Sequence, residues 1–202
     1  MRYYNYLNEG NDPDGYRLLI ESNCSQFLKE WDGKPVYRGI NKNIKFELLT
    51  THPNRKPSNT LEDLQSVADM YFKRRFGWKC RSEHSLFGTG SIRTAETYGD
   101  GSLVVIFPLD GYKFVYSNNI KDFYTELMTF MADELDMTDD YPPEVQETYL
   151  EYKEEVDKYI EQMIKLYTDK DLKKAINSGN EIMFNTKKYI AINSNIFTRI
   201  FK

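Results

Sequence analysis

Leu103-Val104-Val105-Ile106-Phe107-Pro108-Leu109-Asp110-Gly111-Tyr112-Lys113-Phe114-Val115-Tyr116 is the stretch whose reading decides the architecture. It opens with a continuous apolar run, as a strand buried on both faces requires. It closes with alternation around Lys113, and Pro108-Leu109-Asp110-Gly111 supplies turn residues between the two strands. Helical patterns flank this pair on both sides. The order helix, strand, helix, strands, helices, strands predicts an α+β domain, not the regular alternation of a parallel sheet.

Upstream of that stretch, Ile92-Arg93-Thr94-Ala95-Glu96-Thr97-Tyr98 reads as a short helix stopped by Gly99. Phe87-Gly88-Thr89-Gly90-Ser91 leads into it. A longer helix has its apolar face at Leu61, Leu64, Val67, Ala68 and Tyr71, with Thr60 as its N-cap and Asp63 in the place of a capping-box acid. The loop from His52 to Asn59 precedes it, and its two prolines argue against regular structure. Val36-Tyr37-Arg38-Gly39-Ile40 reads as a short strand. The first helix runs from about Tyr16 to Trp31, where Cys24, Phe27, Leu28 and Trp31 form a buried stripe closed by Asp32-Gly33. Downstream, a helical segment runs from about Ile120 to Asn177, broken at Pro142-Pro143. Glu181-Ile182-Met183-Phe184 and Tyr189-Ile190-Ala191-Ile192 then read as a closing hairpin.

Composition narrows the classes. A chain of 202 residues, 40% hydrophobic and 15% aromatic, suits one domain with a real core and not a disordered chain. No apolar run approaches the roughly 20 residues that span a bilayer, and Met1 to Tyr6 lacks the apolar stretch of a signal peptide. A cytoplasmic protein without a membrane role is expected, with Cys24 and Cys80 as reduced thiols. His52, His84 and the two cysteines give no zinc spacing, so no metal is expected. Charge is uneven. Asp133 to Asp171 holds 14 acidic residues against 4 lysines, a local −10 within a net −4, which leaves the remainder at +6. That acidic run is either a solvated helix face or a partner surface, and the basic remainder fits a phosphate-bearing ligand.

Three places carry possible chemistry. Arg38 sits in an apolar strand, where a buried guanidinium needs an anionic partner, either a carboxylate or a diphosphate lying on the strand. Gly39 beside it would let such a ligand approach the backbone. The Thr89 and Ser91 hydroxyls, at the start of a short helix, can either bind a ligand or cap that helix. Glu181 opens a strand. A carboxylate fixed there can stabilise positive charge developing at an anomeric carbon, or it is an exposed strand-edge residue.

A strand with Tyr37-Arg38-Gly39, then Phe87-x-Thr89-x-Ser91 with a short helix ending Tyr98-Gly99, then two core strands, then Glu181 before an aliphatic strand, resembles the ADP-ribosyltransferase superfamily of the Arg–Ser–Glu type. The resemblance covers roughly Pro35 to Asn193. It implies one domain over 1–202, a split β-sheet flanked by helices, and an acidic helical insertion at about 120–177. It also implies NAD as substrate, with Arg38 and Gly39 at the phosphates and Thr89 and Ser91 holding the nicotinamide ribose and bracing the glutamate. Phe87 or Tyr98 would stack on nicotinamide, and Glu181 would be catalytic. Such small proteins are encoded by bacteriophages and bacteria, so the implied acceptor is a host protein or nucleic acid in the host cytoplasm. Two positions depart from the pattern. Thr89-Gly90 stands where the family has Ser-Thr. Gly179 stands where arginine-modifying members carry a second Glu, which points to another acceptor, to water, or to a fold without turnover. Two other readings stay open. One is a non-catalytic inhibitor acting through its acidic helical surface. The other is direct nucleic-acid binding by Lys73 to Arg81, with Phe76 and Trp78 interleaved.

Overall fold

The computed structural model describes residues 12–56, 61–99, 102–137 and 142–201. Its strands are β1 (Tyr37–Ile40), β2 (Phe46–Thr50), β3 (Ser85–Thr89), β4 (Ser102–Pro108), β5 (Lys113–Ser117), β6 (Tyr167–Thr168), β7 (Glu181–Asn185) and β8 (Lys188–Asn193). They form one antiparallel sheet in the order β2-β8-β4-β1-β3-β7-β5-β6. The α+β class expected from the sequence is therefore present. The middle of the sheet is thin: β1 and β3 share the single registered pair Tyr37↔Thr89. Two four-stranded halves thus meet along a seam.

This topology corrects two sequence expectations. The closing hairpin does not form: β7 pairs with β3 and β5, whereas β8 pairs with β2 and β4. Nor do β4 and β5 pair across their turn, because β4 lies between β1 and β8. In both cases a short connection carries the chain from one half to the other. Turn residues set the length of a connection, but burial chooses the partner strand.

The helices are α1 (Pro13–Asn23), α2 (Ser25–Glu30), α3 (Glu62–Phe76), α4 (Ile92–Glu96), α5 (Phe123–Glu134), α6 (Pro142–Glu151), α7 (Lys153–Lys165), α8 (Leu172–Ser178) and α9 (Ser194–Phe201). The helix expected over Tyr16 to Trp31 is two helices, broken at Cys24. Asp110 fixes the second start, accepting from the Ser25 hydroxyl and the Gln26 amide at 2.8 Å each. Thr60 lies outside the described residues, and α3 starts after Leu61 without a side-chain cap. Its Glu62 and Asp63 at the first turn and Lys73, Arg74 and Arg75 at the last suit the helix dipole. Pro142 begins α6, a position where its missing N–H costs nothing.

Two apolar cores flank the sheet. One gathers α1, α2 and α9 over β4 and β8, with Phe27, Trp31, Phe107, Phe197 and Phe201 in mutual ring contact. The other joins α3 to α5, α6 and α7, burying Phe72, Phe123, Val156 and Ile160 against Val115 and Met183 of the sheet. Val156, Ile160, Met163 and Ile164 turn inward on α7, and Glu154, Glu155 and Lys158 remain exposed. The acidic segment is thus a packed half of the molecule that keeps its charge outside. Each fully buried Phe contributes about 1.5–3 kcal/mol. Cys24 and Cys80 are buried free thiols. No helix among the described residues is long and apolar enough to cross a membrane.

Candidate functional site

A cavity of about 420 Å³ opens at the seam, lined by Arg38, Gly39, Phe87, Thr89, Tyr98 and Glu181, among other residues. Of the residues that the resemblance implies for the NAD site, Ser91 is the one outside that lining. The cavity is thus built by β1, β3 and β7 with the turn after α4, and the start of α5 closes one side.

Arg38 reaches across the seam, its Nη1 donating to the Phe87 carbonyl at 2.8 Å. Its Nε is buried without a hydrogen-bond partner, and among the described residues no carboxylate forms an ion pair with it. Burial pulls its pKa down, and the neighbouring Tyr189 phenol acts in the opposite sense. Of the two partners the sequence allowed, the described residues do not supply the carboxylate. A desolvated cation so placed gains from an anion brought into the cavity.

Glu181 is the first residue of β7, in register with Thr89, and its amide donates to the Lys121 carbonyl at 2.8 Å. It is not an exposed strand-edge residue. Its carboxylate lies 3.4 Å from Arg81 Nη1, with the two side chains 12% and 7% exposed. Burial is the largest influence on it and lifts its pKa to about 7; Arg81 pulls down, Asp122 pushes further up, and the Phe123 amide pulls down. A carboxyl half ionised near neutral pH, inside a cavity, is a candidate functional group on physical grounds.

Two arginines in the lining escaped the sequence reading. Arg81 belongs to the run read as a nucleic-acid surface, yet its side chain is buried over the Phe123 ring at 4.6 Å, and its amide is held by Asp69 at 2.8 Å. Trp78 of that run is 3% exposed, so the run offers no row of stacking rings. Arg55 comes from the loop between β2 and α3. The Arg55 backbone is pinned by its amide on the Ser82 carbonyl at 2.9 Å and by Gln65 Nε2 on its carbonyl at 3.0 Å. No local motif marks either residue; both partners of the Arg81–Glu181 pair carry charge, but they lie 100 residues apart.

The remaining residues divide between ligand-facing and structural positions. Arg55 and Arg81 both lie over the Phe87 ring, at 4.7 and 5.4 Å, so guanidinium groups occupy the place implied for nicotinamide. Tyr98 is 55% exposed, with its phenol donating to Asp122 at 2.8 Å, and presents the more open ring. The Thr89 hydroxyl donates to the Gly179 carbonyl at 2.6 Å and accepts from the Ser91 amide at 3.1 Å, which ties β3 to the turn before Glu181. The Ser91 hydroxyl accepts from the Thr94 amide at 3.2 Å and from the Thr94 hydroxyl at 2.9 Å, so it caps α4. Gly39 has a packing reason of its own, since a Cβ there would overlap the Ala95 carbonyl oxygen. Gly179 ends α8 in the left-handed conformation, φ +70°, which any other side chain would strain.

In comparisons with known proteins, no family model, no curated protein and no solved structure matches this chain.

Proposed function

We propose that this chain is a mono-ADP-ribosyltransferase, cleaving the nicotinamide–ribose bond of NAD and passing ADP-ribose to a macromolecular acceptor. The observation that supports this most is the meeting in one cavity of a carboxylate with little exposure, Glu181, and a half-buried arginine, Arg38, that has no carboxylate ion-pair partner among the described residues. An acid and a cation on the two strands that flank β3 suit a ligand with an anionic middle and a glycosidic bond that becomes positive as it breaks.

In this reading Arg38 holds the diphosphate and Tyr98 offers its ring to the nicotinamide. The C–N bond breaks, neutral nicotinamide leaves with the electron pair, and the ribose takes on oxocarbenium character. The Glu181 carboxylate accepts a hydrogen bond from the ribose 2'-hydroxyl, and this contact strengthens as positive charge grows. Arg81 and Thr89 do not touch the reacting atoms. Arg81 anchors the carboxylate, and Thr89 fixes the turn that carries it.

Glu181→Gln keeps the shape and removes the charge. Nicotinamide release from NAD should fall about a hundredfold or more with NAD affinity little changed. Wild-type release by correctly folded Glu181→Gln would remove Glu181 from the mechanism. Because the ionised form acts, kcat/KM for NAD should rise with pH through about 7.

A further inference from the structure

Arg55 is an arginine of the cavity that no role above absorbs. Its backbone is pinned, its side chain is half-buried, and among the described residues no carboxylate forms an ion pair with it. Its guanidinium is instead spread over the Phe87 ring at 4.7 Å, while Arg38 bonds the carbonyl of that same residue at 2.8 Å. Three arginines therefore converge on Phe87, of which Arg81 is also paired with Glu181, which leaves Arg38 and Arg55 without an ion pair among the described residues. The repulsion is felt at Arg55, whose pKa is lowered first by burial and then by Arg81 and Arg38, with Glu181 acting in the opposite sense. A pair of desolvated, mutually repelling guanidinium groups gains most from an anion with two linked charges, because each group can then fork onto its own oxygens.

We infer that Arg38 and Arg55 together form a cradle for a diphosphate group, with Arg55 a binding residue that the Arg–Ser–Glu pattern does not include. The inference borrows from the proposed function only the choice of diphosphate as the anion. The cradle explains why Arg55 is held over a ring: a contact to the Phe87 face takes up none of its N–H donors, which stay available to a ligand.

Calorimetric titration of inorganic pyrophosphate, and separately of ADP-ribose, into the full chain at low salt tests the cradle. The wild-type chain should bind both. Arg55→Met should weaken both by roughly ten- to a hundredfold, the value of a charge-assisted hydrogen bond lost. Arg55→Lys should lose part of that. The exposed neighbour Lys56, paired with Glu62 at 2.9 Å, provides the charge control, and Lys56→Met should bind as wild type. Without an anion, Arg55→Met should unfold at no lower temperature than wild type, because repulsion has been removed. If it folds poorly, Arg55→Lys carries the test.

Wild-type affinity in the Arg55 variants overturns the cradle, as does an equal loss in Lys56→Met or no binding by the wild-type chain. Nicotinamide release is scored separately. Arg55-dependent pyrophosphate binding without NAD cleavage would sink the transferase reading and leave the cradle standing. NAD cleavage with pyrophosphate binding indifferent to Arg55 would do the reverse.

Discussion

The two halves of the sheet are buried in different ways. In the half built from β2, β8, β4 and β1, consecutive residues belong to one core: Val104, Val105, Ile106 and Phe107 on β4, and Ile190, Ala191 and Ile192 on β8. In the other half neighbouring residues part company. Phe114, Tyr116, Ile182 and Phe184 enter that same core, whereas Val115 and Met183 enter the second. A strand enclosed by one core has no face left for polar chemistry. A strand that divides two cores can end where they separate, and Glu181, on the Met183 face of β7, stands at that edge. The acidic helical segment thus supplies the surroundings of the candidate acid: Phe123 and Asp122 at the start of α5, and Tyr167 behind.

The largest expected effect would break this comparison outright. Phe107→Ala and Phe123→Ala should each cost about 3–5 kcal/mol in chemical denaturation. Only Phe123→Ala should lower the Glu181 pKa, read by carbon NMR of labelled glutamate, because only that cavity admits water to the carboxylate. A Glu181 pKa shift of the same size in both variants would erase the distinction between the halves.

Next in size is a pH-dependent stability. The Glu181 pKa is raised from 4.5 to about 7 on folding, so its protonated form stabilises the fold below 4.5, and that stability is lost as pH rises to about 7. Glu181→Gln lacks the titration. Its advantage over wild type should open by ~1.4 kcal/mol per pH unit across that window and stay level above it. Thermal unfolding at pH 5 and pH 8 measures the gap. An equal gap at both values would contradict the burial of the carboxyl.

A finer cut separates Arg81 from the reacting residues. With the guanidinium gone, the carboxylate loses its ion-pair partner, and the acidic limb of kcat/KM should move upward by about one to three pH units in Arg81→Met. The plateau above that limb should be nearer wild type, and Arg81→Lys should recover part of the displacement. An unmoved limb would leave Arg81 a packing residue.

Smallest is Ser91→Ala, which should cost about 1 kcal/mol of stability through the lost α4 cap. Nicotinamide release should change little. A hundredfold loss of turnover with intact folding would return Ser91 to the ligand.

What the sequence made legible was local. The continuous run Leu103 to Phe107 announced a doubly buried strand, and Ser91 before Ile92 is a cap that spacing alone suggests. The edge strand β2 went unassigned, because Glu47, Leu48 and Leu49 are only half-buried beside a single partner and show no clean alternation. Strand partners were not legible either, since β7 and β8 are adjacent along the chain yet belong to opposite halves. The same limit hid the charges of the site. Arg38 and Glu181 stood out by their setting in strands and Thr89 by its place before a short helix, but Arg55 and Arg81 gain their meaning from residues brought near by the fold. Composition suggested a surface role for Lys73 to Arg81, and tertiary packing turned Trp78 and Arg81 inward.

The bond from Arg38 to the Phe87 carbonyl has a mechanical consequence. Where the backbone ladder thins to one rung, a side chain serves as a second rivet between two shells. A guanidinium carries five N–H groups, and the carbonyl engages the hand at Nη1. Those held neither there nor by the Tyr189 phenol can grip an occupant of the cavity without letting go of the rivet, so loading the cavity adds a fastener to the molecule and takes none away.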